Sequence, residues 1–316
     1  MTIETIQDLL DEQLSSWKTA KDNFAALAQV REKELDVNGS RYKVQFNPAR
    51  IISSAAKVDS KSIQERKCFL CPAHRPAEQK ALPFKGEYQI LVNPFPIFPR
   101  HFTVPALEHT AQLIRGRFAD MLDLAAVATD YVVFYNGPRC GASAPDHIHF
   151  QTGNKGFLPI EEEWRTGKTE KAATYHAATL WTLNDVLRST LIIESPVQED
   201  AVALFDIIYQ AMELKPGEEE PMMNLLAWIE EGENGGKRWI VCIFPREKHR
   251  PSCYAAEGEA NILISPASVD MGGVFITPRE SDFEKLTSAD IAAILGEVCL
   301  PAAEFRKLIQ RITEQL

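Results

Sequence analysis

The 316-residue sequence predicts an α+β protein of two related halves, each an antiparallel sheet with helices packed on it. Three observations predict it. Short strand-like runs bounded by turn residues recur in both parts of the chain. Each part also carries a long amphipathic helical stretch. Finally, "NPFPIFPRHFTVP" faintly echoes "IVCIFPREKHRPS", as two copies of one unit would. The halves are expected at residues 1–158 and 159–316, with the second folding back over the first.

Residues 3–35 are predicted helical, because Ile6, Leu9, Leu10 and Leu14 recur at steps of three and four. "GSRYKVQFNP" alternates polar and apolar residues and reads as a strand that stops at Pro48. "ERKCFLCPAHRP" is a Cys- and Pro-rich knuckle. Residues 88–93 and 101–105 read as strands, kept apart by Pro94, Pro96 and Pro99. "TAQLIRGRFADMLDLAAVA" reads as a helix, and "YVVFYNG" and "HIHFQTG" as strands. "GFLPIEEEWRTGKTEK" is a charged, irregular crossover. "DAVALFDIIYQAMEL" is the second long helix, and "KPGEEE" an exposed acidic turn. "MNLLAWIE", "RWIVCIFP" and "NILIS" are three further strands, and the chain after Ser288 is helical.

A net charge of −10 argues against a general nucleic-acid binder, although a local basic pocket can coexist with an acidic surface. No run of 18 apolar residues calls for a membrane span, and the acidic, amphipathic start does not read as a signal peptide. Six cysteines, four of them scattered (Cys140, Cys242, Cys253 and Cys299), make no disulfide scaffold, so the expected compartment is the cytoplasm.

Two constellations carry chemistry. Cys68 and Cys71 form a C-x-x-C pair, a spacing that lets two thiolates reach one tetrahedral zinc. His109 lies 38 residues beyond Cys71, and His147 a further 38 beyond His109. Spacing alone leaves three readings open: a zinc site, a redox pair, or two small buried residues. The second constellation is "PDHIHFQTG". As a strand it places His147, His149 and Gln151 on one face, neighbours roughly 6.5–7 Å apart, with Ile148 and Phe150 on the other. A neutral imidazole there can serve as nucleophile or base, and the Gln151 amide can hold a phosphate oxygen. The preceding "NGPRCGAS" is small and glycine-rich, so backbone N–H groups can approach an anion. A strand with a merely solvated polar side is the plainer alternative.

"DHIHFQ" resembles the signature of the histidine-triad (HIT-like) superfamily in its H-x-H-x-Q form. That form belongs to the galactose-1-phosphate uridylyltransferase, diadenosine-tetraphosphate phosphorylase and GDP-hexose phosphorylase branch. "LVNPFPIFPRHFTVPALEH" and "FYNGPRCGASAPDHIHFQ" resemble the stretches around it, with Asn136 standing 11 residues before His147. The likeness covers residues 40–155 well, and the second half only loosely, through "NLLAWIEEG" and "RWIVCIFPR". It implies a HIT-like fold, His149 as nucleophile, Gln151 steadying the transferred phosphate, and Cys68, Cys71, His109 and His147 as ligands of a structural Zn2+. Asn93, Asn136 and Ser143 fall at substrate-binding positions, with His101 in support near the reactive histidine. "FPREKHRP" offers Arg246, Lys248, His249 and Arg250, either as a solvated turn or as a holder of the substrate's outer phosphates.

The implied activity is transfer of a nucleotidyl group from a nucleotide sugar or dinucleoside polyphosphate, through a covalent nucleotidyl-histidine, to phosphate or a sugar phosphate. The alternatives are a nucleotide-conjugate hydrolase, a non-catalytic nucleotide-binding protein, and a zinc-stabilised interaction module. No nucleic acid or membrane partner is expected, and the family's pairing of halves allows a homodimer. Two departures stand out. Asp146 adds a residue to the usual loop before the first histidine, and the third motif position is Gln151 rather than a histidine, which disfavours a simple triad hydrolase.

Overall fold

The computed structural model describes residues 3–51, 58–166, 169–183, 187–232 and 235–316. Its centre is a ten-stranded antiparallel sheet in the order β3-β4-β5-β7-β6-β11-β12-β10-β9-β8. The strands are β3 (Ala81–Phe84), β4 (Tyr88–Val92), β5 (His101–Pro105), β6 (Tyr131–Asn136), β7 (His149–Asn154), β8 (Thr169–Tyr175), β9 (Ala178–Leu183), β10 (Thr190–Ser195), β11 (Met223–Glu231) and β12 (Lys237–Pro245). The order repeats. Three strands, a helix and a hairpin make 3-4-5-7-6, and the same sequence of elements makes 8-9-10-12-11. The copies meet where β6 pairs antiparallel with β11, Asn136 opposite Asn224. The α+β fold with two related halves therefore holds, but the halves share one sheet rather than owning one each. The echo between the proline-rich stretches is not the repeat. One leads into β5 and the other leaves β12, whereas the counterpart of β5 is β10.

Period-two geometry buries both faces of this sheet. In β6, Tyr131, Val133 and Tyr135 pack in one core, while Val132 and Phe134 pack in the other. The first core is closed by helices α1 (Ile3–Ser16), α2 (Lys18–Ala26), α4 (Phe118–Val127), α6 (Gln198–Ala211) and α10 (Ala302–Thr313). The second is closed by α5 (Ile160–Thr166), α7 (Ser268–Met271), α8 (Glu280–Lys285), α9 (Ser288–Val298) and a three-stranded sheet. That sheet joins β1 (Arg31–Val37) and β2 (Ser40–Phe46) to β13 (Val274–Thr277), which runs parallel to β2 from the far end of the chain. The short α3 (Ser60–Glu65) precedes the cysteine knuckle.

Several expectations change. Residues 31–35 are strand, because every residue of β1 pairs with β2. The helix expected over 110–128 begins only at Phe118, after Gly116 takes a φ of +75°. The charged crossover contains α5, with Glu161, Glu162 and Glu163 in its first turn. "NILIS" forms no strand: Ile262 and Ile264 are buried, but the backbone bonds locally, Ile264 N to Ile262 O at 2.9 Å. His147 sits in a bend before β7 rather than on it. Among the described residues no helix is long and apolar enough to cross a membrane.

Candidate active site

The strand register places the reactive face. Ile148 and Phe150 enter the first core, while Gln151 faces Thr103 of β5 and Phe134 of β6. His149 and Gln151 thereby line a cavity of about 650 Å³ on the opposite face of the sheet. Residues from the second half, including His249, Arg250 and Asp270, complete its wall. The β6–β7 loop passes close under that wall. Gly141 has φ +93°, and a Cβ there would lie 2.6 Å from that of Ala267, so both conformation and space require glycine.

Hydrogen bonds settle the state of each ring. His149 Nδ1 donates to the His147 carbonyl at 2.8 Å, which leaves Nε2 with its lone pair. Burial pushes the His149 pKa down to about 4, so the imidazole is neutral at pH 7. His101 lies fully buried beside Gln151. Its Nδ1 accepts from Ile97 N at 3.1 Å, so the proton is on Nε2 and is donated to Gln151 Oε1, also at 3.1 Å. Burial drives its pKa down to about 3. Asn93 Nδ2 donates to the same oxygen at 3.3 Å and to Thr103 Oγ1 at 3.0 Å. The Gln151 oxygen is thus occupied, and its amide N–H groups are left to donate into the cavity.

Gly153, directly opposite His101, guards this arrangement. A Cβ there would stand 2.4 Å from the ring of Phe98, which packs edge-on against His101 with ring centres 5.4 Å apart. Gly153→Ala is expected to destabilise the protein by about 1–3 kcal/mol, the usual result of overpacking. Denaturant unfolding measures it, and an unchanged midpoint would show that the ring can move freely.

Gln112 was invisible to sequence reasoning, which put it inside a helix. It is fully buried and brackets the start of β7, accepting from His149 N at 2.7 Å and donating to His149 O at 3.1 Å and Asn136 O at 3.0 Å. Its loop is braced from the second half. Glu220, expected in an exposed turn, is buried, accepts from Ile114 N at 2.6 Å, and lies beside the Tyr135 hydroxyl, which reaches the Gln112 carbonyl at 2.9 Å. Burial raises the Glu220 pKa to about 7. The folded protein therefore binds this proton more tightly than the unfolded chain, whose carboxyl titrates near the ordinary 4.5. The stability gained is complete below that value and is lost as pH rises through about 7. Glu220→Gln is expected to flatten the fall in melting temperature between pH 5 and 8, and equal slopes in variant and wild type would count against the assignment.

Of the remaining substrate-binding candidates, Asn93, Asn136 and Ser143 line the cavity. Asn93 spends its donors and its oxygen within the protein, the latter on Phe95 N at 2.9 Å, so it positions Gln151 rather than meeting a ligand. The Asn136 oxygen takes donors from Ser268 and Asn224, which leaves its amide nitrogen. His101, Arg246 and Lys248 do not line the cavity. Arg246 is buried and directs all five N–H groups to Asn224 Oδ1 and to the carbonyls of Val298, Pro266, Lys248 and His249. Lys248 pairs with Glu297 at 2.7 Å. From that cluster only His249 and Arg250 reach the cavity. Burial first, then neighbouring arginines, push the His249 pKa down to about 4.

Sequence reasoning missed the other cations of the wall, Arg50 and Arg66. Against three arginines, Asp270 is the one acid among the described lining residues, and burial raises its pKa to about 6. A basic cavity does sit in this acidic protein.

Beside the cavity, Cys68, Cys71, His109 and His147 place one ligand atom each within 4.8 Å of all the others, a group that can hold a metal ion. His147 Nε2 donates to the Ala106 carbonyl at 2.8 Å, which turns the Nδ1 lone pair toward Cys68 Sγ at 3.4 Å. His109 Nδ1 lies 3.2 Å from Cys71 Sγ, and its Nε2 lies 3.6 Å from Asp146. Two thiols and two imidazoles, with the His147 ring held through its Nε2, suit a tetrahedral ion.

Comparisons with known proteins agree with this geometry. Residues 9–154 match a domain of unknown function, DUF4922, and residues 223–316 match the GDPGP1-like C-terminal domain. The chain is 29% identical over 278 residues to diadenosine 5',5'''-P1,P4-tetraphosphate phosphorylase 2 of Saccharomyces cerevisiae, covering 78% of this chain and 79% of that protein. The crystal structure of yeast Ap4A phosphorylase Apa2 in complex with Ap4A superposes with a TM-score of 0.64 at 19% identity, over 95% of this chain and 99% of that one. Another crystal structure of yeast Ap4A phosphorylase Apa2 gives 0.60 at 18% identity, over 90% and 97%. The chain shares the fold of that phosphorylase, and the sequence matches agree with the branch that its H-x-H-x-Q strand resembles. The H-x-H-x-Q segment divides between two places: His147 turns to the cysteine knuckle, and His149 and Gln151 face the cavity.

Proposed function

We propose that the chain is a nucleotidyltransferase of the phosphorylase type, acting on a nucleotide sugar or dinucleoside polyphosphate through a nucleotidyl-His149 intermediate. The observation that carries this reading is the state of His149: a buried, neutral imidazole with Nδ1–H committed to a carbonyl, on the wall of a basic cavity. In the first displacement the Nε2 lone pair attacks phosphorus. A P–N bond forms, and the P–O bond to the leaving group breaks with its electron pair on oxygen. The Nδ1–H bond to the His147 carbonyl steadies the positive ring. Gln151 N–H and the loop amides near Ser143 donate to the transferred phosphate. In the second displacement an oxygen of phosphate or a sugar phosphate attacks the same phosphorus, and the neutral imidazole returns.

The relative's name and the GDPGP1-like match support a phosphorylase, and support nucleotide as the ligand class. The units of this enzyme are residues 1–158 and 159–316. In this reading Cys68, Cys71, His109 and His147 hold a structural zinc, since four protein donors leave no open position for substrate. None of the six cysteines forms a disulfide, which fits the cytoplasm. The test is incubation with nucleoside diphosphate sugars and diadenosine tetraphosphate, followed by intact mass. A gain of one nucleotidyl group, with turnover that rises with phosphate, is expected. No adduct with any of them would sink the proposal, and a rate indifferent to phosphate would move it to a hydrolase.

A further inference from the structure

Asp146, the residue added before the H-x-H-x-Q strand, has a partner that explains it. One carboxylate oxygen accepts from Arg66 at 2.6 Å, and the other lies 3.6 Å from His109 Nε2. Arg66 stands at the end of α3, two residues before Cys68. Its guanidinium lies over the Phe69 ring at 5.1 Å and lines the cavity. Its Nε is buried and has no hydrogen-bond partner among the described residues. An unmet N–H of that kind costs free energy unless a ligand meets it. Arg66 is tied through Asp146 to the loop that leads into His149, whereas Arg50 donates to the Phe95 carbonyl at 2.7 Å, between β4 and β5. Arg66 is therefore the cation on the nucleophile's side of the cavity.

The geometry points to Arg66 as the group that holds the substrate's second phosphate, next to the one His149 attacks, with Asp146 as the positioning residue that ties it to the cysteine–histidine knuckle. The inference rests on the nucleotidyl-transfer reading. The transferred phosphate is served by Gln151 and the loop amides. A second phosphate brings further negative oxygens, and a planar guanidinium fixed by a carboxylate on one side offers its remaining N–H groups to them.

Calorimetric titration of the full-length, metal-loaded protein with AMP, GMP, ADP and GDP tests it. Arg66→Ala is expected to weaken the tighter-bound diphosphate at least tenfold while changing the corresponding monophosphate less than twofold. Arg66→Lys keeps the charge but not the fork, so a three- to tenfold loss for the diphosphate alone is expected; it also serves if the alanine variant does not fold. Asp146→Asn is expected to weaken the diphosphate several-fold with metal content unchanged, which a merely structural role would not produce. Equal losses for mono- and diphosphate, or none, would overturn the role of Arg66. Loss of metal in Asp146→Asn would overturn its positioning role. Wild-type protein that binds none of the four nucleotides fails the nucleotidyl-transfer reading itself, an outcome distinct from failure at Arg66.

Discussion

His149→Ala is expected to abolish the nucleotidyl adduct and to lower turnover by about 10⁴-fold or more, because it removes the group that attacks phosphorus. The fold should survive the change. The ring's one hydrogen bond is to its own chain, at the His147 carbonyl, and the clamp from Gln112 grips only the backbone of residue 149. Circular dichroism and unfolding of the variant should therefore overlay the wild type closely, while intact mass shows no added nucleotide. Turnover within tenfold of wild type would mean that the chemistry does not run through this imidazole. The gap between retained fold and lost reaction makes the test sharp.

The second large effect is expected from the metal. Cys68, His109 and His147 come from three separate stretches of loop, and the apolar cluster beneath them is small: Cys68, Leu70 and Ala144, with Cys71 packed against it. So little buried surface cannot by itself hold such a knuckle in place. Purified protein is expected to carry one equivalent of zinc, and Cys68→Ser less than a tenth. Removing the ion should cost about 4 kcal/mol of stability when free metal stands near a thousand times its Kd. Elemental analysis and thermal unfolding with and without a chelator measure both. Full stability in metal-free protein would refute a structural ion.

Much of the first half was legible because its signals are local. Alternation placed β2, strand-like runs bounded by turn residues placed β4, β5 and β6, and the prolines between 93 and 101 marked the turn that separates β4 from β5. The same alternation misled at His147, where the bend that follows Asp146 rotates the ring out of the row. Family resemblance grouped Cys68, Cys71, His109 and His147, which no spacing rule would join across 79 positions. What stayed hidden depends on tertiary placement. Gln112 sits in a sequence with helical periodicity, and only the register of β7 makes it a clamp. Arg246 and Arg250 look alike in a basic cluster. One is consumed by backbone carbonyls and the other faces the cavity, and nothing local separates them. Arg50 and Arg66 were ordinary charged residues until the fold set them on one wall.

The pairing of β6 with β11 has a consequence for the birth of the protein. Once β7 has followed it from the ribosome, strand β6 has one side of its backbone bonded and the other side unmatched, and all six of its residues are buried in the finished fold. Its partner is completed only after roughly ninety more residues, or several seconds of synthesis at ordinary elongation rates. For that interval an apolar sheet edge of the kind that recruits other chains stands open. A nascent chain halted between the two copies should therefore be sticky and chaperone-dependent, and a first half expressed alone should aggregate rather than yield a small working enzyme.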